Sequence, residues 1–275
     1  MNTSAVNIIG NLNFDKKTIN YLSVLKPAAT AILLAPSKIE LKDIIRYTLM
    51  DLALKKVLVI KKKHIQLHPS DPYKRTRTTV ETAKNFNAYY KSEFEKYFLT
   101  IIDNASYFHL RSYLHRVYTD MPRDHVVKRQ VIKEHKIQNL FSNSFIYSIF
   151  NVFRLNTSGR KVQNEIQRYL SAIDENIVQI IEESPEQALK LVSFLKGNIF
   201  LLKNLTFELL EKINALIIQN KNISRDTYFE MFDIFDFSEI FFTSLSEEIT
   251  LLLDSIEIDF NSSDGGDFDI GDFID

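Results

Sequence analysis

The chain has 275 residues, a formal net charge of -1 and 45% hydrophobic residues, which suffices for one large domain or two of ordinary size. It contains no cysteine, and this excludes disulfides, thiolate metal sites and cysteine nucleophiles. Neither GxGxxG nor GxxxxGK occurs among its six glycines, so the phosphate-binding loops of the common nucleotide-dependent enzymes are excluded as well. We expect no bound cofactor.

The N-terminus lacks a basic start followed by a continuous apolar run, so it does not read as a secretory signal. The longest apolar stretches are far shorter than the roughly 20 residues of a membrane-spanning helix. These two features predict a cytoplasmic protein with no transmembrane segment.

The small net charge hides an asymmetry between the two halves. Residues 1–130 carry 22 Lys and Arg against 11 Asp and Glu, whereas residues 131–275 carry 12 against 24. Such a split indicates either an anionic partner for the basic half or docking of the two halves on each other. Both alternatives remain open at the level of sequence.

The first predicted elements are two helices and a hairpin. Residues 28–34 and about 38–56 read as helices on either side of a Pro36-Ser37 break, and the apolar residues of the second helix recur at helical spacing. A β-branched run starting at Val57 leads into three lysines, and proline-containing turn formers follow at residues 69–72. This pattern predicts a short β-hairpin with a lysine-rich tip.

The order of helix, break, helix and basic hairpin resembles a winged-helix module over about residues 27–67. The stretch DLALKKVLVIKKKHIQL looks like the end of the third helix of that module running into the wing. The resemblance implies either DNA binding through the wing and the preceding helix, or a platform for protein interaction and oligomerisation.

Aromatic helices are predicted next. Thr78-x-x-Glu81 reads as a capping box that opens a helix to about residue 103, with aromatic residues from Phe86 to Phe98 at i, i+3 and i+4 spacing. We expect those aromatic side chains to lie in the core. Helices at about 106–118 and 123–136 follow, the second of them basic.

Turn formers at residues 155–159 suggest a loop between subdomains. Beyond it we expect acidic helices at about 161–181, 185–196, 199–218 and 239–253, with Ser184 as the N-cap of the second and Ser224 as the cap of a further helix. The resulting division is a winged-helix-like module at 1–72, a basic aromatic region at 73–155, an acidic helical region at 156–259 and a tail at 260–275.

The segment from residue 260 to 275 is rich in aspartate, glycine and serine, so we expect it to be disordered. It resembles the acidic, aromatic-tipped tails by which bacterial single-stranded-DNA-binding proteins recruit partners. Acidic residues would speed encounter with a basic groove, and Phe268 and Phe273 are the candidate anchors.

Candidate site residues are basic. The predicted contacts for an anionic partner lie in and after the hairpin and are Lys61, Lys62, Lys63, Lys74, Arg75 and Arg77. The six histidines show no spacing that would converge on a metal, and paired carboxylates such as Glu182-Glu183 read as solvated helix faces. The sequence assigns no catalytic, cofactor or metal residue.

The sequence as a whole predicts a mainly α fold: two or three helices plus a short β-hairpin, then a helical bundle and a disordered acidic tail. The expected function is that of a non-catalytic interaction or regulatory protein, with a protein partner or self-association. A nucleic-acid-binding regulator using the basic wing is one alternative, and an enzyme of unrecognised class is another. An anionic membrane surface is a further partner that the same lysines would serve.

Overall fold

A computed structural model describes residues 14–66, 74–142, 152–206 and 242–262, together with a few single residues between 209 and 215. The fold is mostly helical, with a small three-stranded antiparallel sheet after the N-terminal helices. Its elements, in chain order, are α1 (Lys16–Ile19), α2 (Tyr21–Val24), α3 (Pro27–Leu34), α4 (Leu41–Leu54), β1 (Leu58–Gln66), β2 (Lys74–Thr82), α5 (Lys96–Leu99), β3 (Tyr107–His109), α6 (Leu110–Asp120), α7 (Asp124–Glu134), α8 (Thr157–Glu183), α9 (Pro185–Leu195) and α10 (Phe242–Ser262). Short 3₁₀ segments lie at Gln138–Leu140 and Lys196–Leu201.

Helices α3 and α4 form where the sequence predicts them, whereas α1 and α2 were not predicted. Pro27 occupies the first turn of α3, where its missing N–H costs no hydrogen bond. α4 begins with a capping box in which the Glu40 backbone N–H donates to the Asp43 carboxylate over 3.1 Å. The mainly helical class and the hairpin after α4 are therefore confirmed.

The predicted helix that opens at Thr78 is wrong. Thr78 and Glu81 lie in β2, which pairs antiparallel with β1 from Leu58 opposite Thr82 to Gln66 opposite Lys74. The capping-box pattern matches four residues only, whereas β2 is rich in β-branched threonine and gains a continuous ladder of backbone hydrogen bonds from β1. A pattern of four residues cannot detect β1, and pairing with β1 is what makes this segment a strand.

The aromatic residues after β2 pack in the core, as predicted, but from irregular chain and the single turn of α5. The buried members are Phe86, Phe94 and Phe98, whereas Tyr90 is 88% exposed. The next predicted helix begins at Leu110 instead of residue 106, because Tyr107–His109 pairs with β2 as the third strand.

The predicted loop at residues 155–159 is largely the start of a helix. Asn156 is the N-cap of α8, and its side-chain oxygen accepts from the Gly159 backbone N–H over 2.8 Å. A Cβ atom on Gly159 would lie 2.0 Å from the Leu140 carbonyl oxygen, so glycine permits the close approach of these two segments. The predicted domain boundaries stay a prediction, while buried side chains from all three helical regions form one connected core.

The acidic helices agree with prediction in part. Ser184 is the N-cap of α9, with Pro185 at the first helical position, although its side chain makes no capping hydrogen bond. The helix predicted from residue 199 is replaced at its start by the 3₁₀ segment, and Ser224 lies outside the described residues. Residues 260–262, assigned to the tail from sequence, form the end of α10, and the rest of the tail with Phe268 and Phe273 lies outside the described residues.

Membrane-spanning helices and clusters of metal-binding side chains are both absent from the described residues. None of these helices is both long and apolar enough to cross a bilayer. Within the same part of the chain, no group of three or more histidine and carboxylate side chains is placed to hold a metal ion.

Candidate interaction surface

The side chains of the hairpin alternate between two faces of the sheet. Leu58, Ile60 and Val80 are buried beneath it and anchor it to the helices. Lys61, opposite Thr79, and Lys63, opposite Arg77, occupy the other face. Neighbours along a strand point to opposite sides, and on this outward face Lys61 is exposed, Lys63 and Arg77 are half-buried, and Thr79 is buried.

The predicted lysine tip is wrong. Lys61, Lys62 and Lys63 lie in the middle of β1, because the strand continues to Gln66 and its pairing with β2 continues to Lys74. The alternation also divides the lysines, since Lys62 shares the side of Ile60 and not that of its two neighbours.

Lys74 and Arg75 fall in β2, and only their backbone is described. Of the predicted contacts whose side chains are described, Lys61, Lys63 and Arg77 share one face of the hairpin, and Lys62 lies on the other.

The outward face combines cations with an exposed ring. Lys63 Nζ lies 2.5 Å from the Glu81 carboxylate and 4.7 Å from the centre of the Tyr107 ring, and Tyr107 is 45% exposed. The pKa of His109 is lowered, first by burial and then by the charge of Arg77. We call Lys61, Lys63, Arg77 and Tyr107 the basic sheet face.

The face of α4 that carries Lys42 and Arg46 is covered by α10. Lys42 Nζ lies 2.8 Å from Asp254 and 3.4 Å from Glu257, and Arg46 donates to the Thr250 hydroxyl over 3.1 Å. Asp254, with its hydrogen bond, holds the pKa of Lys42 above its ordinary value. No residue of α4 is fully exposed.

The contact of α10 is mainly apolar. Four side chains at helical spacing are at most 4% exposed, and they face α4 and α6: Leu245, Ile249, Leu253 and Ile256. At about 1.5 to 3 kcal/mol for each buried side chain, their burial outweighs surface ion pairs of about 0 to 1 kcal/mol. α10 is therefore an integral part of the fold, held mainly by apolar burial.

The same helix also reaches the sheet and α6. The Thr78 hydroxyl donates to Glu248 over 2.7 Å, on the Lys62 side of β2. Arg111 lies 3.3 Å from Asp259, and the Phe260 ring stacks on His115 with 5.4 Å between centres. The acidic C-terminal helix thus docks on the basic half of the chain, which favours the second alternative for the charge split.

A buried polar network lies on the other side of α4. Glu95 is 1% exposed, and its Oε1 accepts from the Tyr89 hydroxyl over 2.8 Å and lies 2.7 Å from Lys26 Nζ. Burial raises the pKa of Glu95, but the Lys26 charge and these hydrogen bonds outweigh burial and lower it overall. The adjoining cavity measures about 10 Å³, which is room for about one water molecule and not for a substrate.

Sequence reasoning missed this network. Tyr89 was assigned to an aromatic stripe, and neither Lys26 nor Glu95 stands in a recognisable motif. Lys26 is the N-cap of α3, and Tyr89 and Glu95 lie in the irregular segment before α5. No spacing rule connects them, so only the fold reveals their contact.

Comparison with known proteins does not assign a family or a function to the chain. No family model matches the chain, and no curated protein or solved structure is significantly similar to it.

Proposed function

We propose that this chain is a non-catalytic interaction protein that binds an acidic protein segment through its basic sheet face. The observation that carries the proposal is the placement of Lys61, Lys63 and Arg77 on one outward face beside the exposed Tyr107 ring. Cations supply electrostatic attraction to carboxylates, and the ring offers an apolar contact for an aromatic side chain of the partner.

The size of the face favours a short acidic segment over duplex nucleic acid. A protein that grips duplex DNA typically neutralises about six to ten phosphates, and the described part of this face offers a few cations, one of them paired with Glu81. The winged-helix resemblance would need α4 in the major groove, and burial of α4 beneath α10 opposes that docking.

The proposal is tested by titrating a fluorescent Asp-rich peptide with one Phe into the full chain at low salt. The variant Lys61→Glu, Arg77→Glu should bind it at least about tenfold more weakly, because each reversal replaces attraction by repulsion. The matched control is Lys133→Glu, Lys161→Glu, which makes the same change in net charge on α7 and α8.

Equal affinity of both double variants, or no binding of the peptide at low salt, would contradict the proposal. Single-stranded nucleic acid is the second candidate, favoured by Tyr107 beside Lys63, because bases stack on exposed rings flanked by cations. Binding of an oligonucleotide that is stronger than the peptide, and that Tyr107→Ala weakens, would establish this alternative instead.

A further inference from the structure

An open pocket of about 500 Å³ lies between the turn after α3 and the start of α8, away from the basic sheet face. One wall contains Leu34, Pro36 and Lys38, and the other contains Phe153 and Arg160. The two walls are tied together, because the Gln163 side-chain amide donates to the Leu34 carbonyl oxygen over 2.7 Å. This volume is in the range of small-molecule sites, about 300 to 1,000 Å³.

The ionisable residues that line the pocket are all basic: Lys38, Arg154 and Arg160. Lys38 and Arg160 are exposed and make no ion pair within the described part of the chain. Lys42 and Lys63, by contrast, are engaged by carboxylates. The pocket thus keeps two cations available for a ligand that carries its own negative charge.

The remaining lining is partly apolar. Leu34, Pro36, Phe153 and Leu155 contribute apolar side chains, and Gln163 and Gln167 contribute amides. A ligand matched to both parts has an oxyanion at one end and an apolar body at the other. A bare inorganic ion would leave most of the volume and the Phe153 ring unused.

We propose that this pocket binds a small organic oxyanion, a phosphate or carboxylate carried on an apolar body. Arg160 and Lys38 hold the oxyanion, since a guanidinium can offer two parallel N–H donors to it and an ammonium adds a point charge. Phe153 and Pro36 contact the apolar body. The inference is independent of the proposed function, because none of these residues belongs to the basic sheet face.

The experiment is a calorimetric titration of the full chain with phenyl phosphate, benzoate and inorganic phosphate. Phenyl phosphate or benzoate should bind with a Kd below about 1 mM and at least about tenfold more tightly than inorganic phosphate. The variant Lys38→Gln, Arg160→Gln should lose at least tenfold in affinity, whereas Lys161→Gln, at the next position along α8, should keep the affinity within about twofold.

A third variant separates the two parts of the ligand. Phe153→Ala should weaken phenyl phosphate and leave inorganic phosphate unchanged, and unchanged melting temperatures would show that the variants fold. Three outcomes would overturn the proposal: no binding of either aromatic probe, equal binding of inorganic phosphate, or equal losses in the double variant and in Lys161→Gln. The Lys61→Glu, Arg77→Glu variant should retain phenyl phosphate binding, so failure of one proposal leaves the other intact.

Discussion

His135 adjoins the buried network, at the end of α7. The pKa of this imidazole is lowered to about 4, first by burial and then by the charges of Lys26 and Lys55, while Glu95 acts in the opposite direction. Asp51 and Glu134 line the same cavity. The folded state therefore holds His135 neutral at a pH at which an unfolded chain protonates it.

This difference makes stability depend on pH. Above pH 6.5 both states hold a neutral His135, so the residue contributes no slope. Between pH 6.5 and about 4 only the unfolded state gains the proton, and the free energy of unfolding should fall by about 1.4 kcal/mol per pH unit, or about 2 kcal/mol by pH 5. Urea unfolding at intervals from pH 7.5 to 5 measures this fall in the free energy of unfolding.

The variant His135→Gln should reduce this slope to the part contributed by His109, whose pKa is also lowered. His125→Gln, on the same helix, should keep the full slope. Measurement above pH 5 separates the effect from Glu95, whose lowered pKa places its loss of stability in a more acidic range. An undiminished slope in His135→Gln would show that another group binds the proton.

Single residues also show how far sequence reasoning reaches. Period-two alternation applied to β1 would have separated Lys62 from Lys61 and Lys63, because the strand is regular and the rule is geometric. The contact of Lys26 with Glu95 could not be predicted, since it joins positions 69 residues apart through an irregular segment. A pair of polar residues far apart in sequence can be recognised only when the fold of the backbone is known.

At the scale of elements, α10 decides which surfaces are available. It combines buried leucines with an exposed one on the same helix, since Leu253 is 0% exposed and Leu251 is 70% exposed. Leu253→Ala should lower the free energy of unfolding by about 2 to 5 kcal/mol, because it removes buried methyl groups and leaves a cavity. Denaturant unfolding monitored by circular dichroism measures the change.

Leu251→Ala is the matched control, with the same chemical change on the outward side of the helix. It should alter stability by less than about 0.5 kcal/mol. Similar small effects of both substitutions would mean that α10 does not pack on α4 and α6 in solution.

Elements with strong local periodicity, such as α4 and α8, could be predicted from sequence because their own side chains define the buried stripe. β2 could not, because its conformation depends on the ladder with β1. The same holds for β3, whose three residues are a strand only by virtue of pairing with β2.

At the scale of the whole molecule, the charge split has a structural counterpart in the docking of α10 on the basic half. The segment after Ser262 carries five aspartates, and α10, which ends at Ser262, contacts Arg111 through Asp259 over 3.3 Å. Thirteen residues can span up to about 40 Å when extended, and we expect this segment to compete for the basic sheet face. Its aspartates and phenylalanines match the partner chemistry proposed for that face.

Deleting residues 263–275 should therefore raise the affinity for the Asp-rich peptide by at least about threefold at low salt, because an internal competitor is removed. Fluorescence titration measures the effect, and the deletion leaves α10 complete. Replacing the five aspartates by asparagine should reproduce the effect at full length. Unchanged affinity in both variants would argue against competition by the chain's own tail.

The contact between α4 and α10 also sets a temporal order. Lys42 and Asp254 are 212 residues apart, and at about 5 to 20 residues per second the ribosome needs roughly 10 to 40 seconds to travel from one to the other. During that interval the apolar groove of α4 and α6 has no helix to cover it. Apolar surface that is exposed during synthesis promotes aggregation, so we expect the last described helix to affect the yield of folded chain as well as its stability.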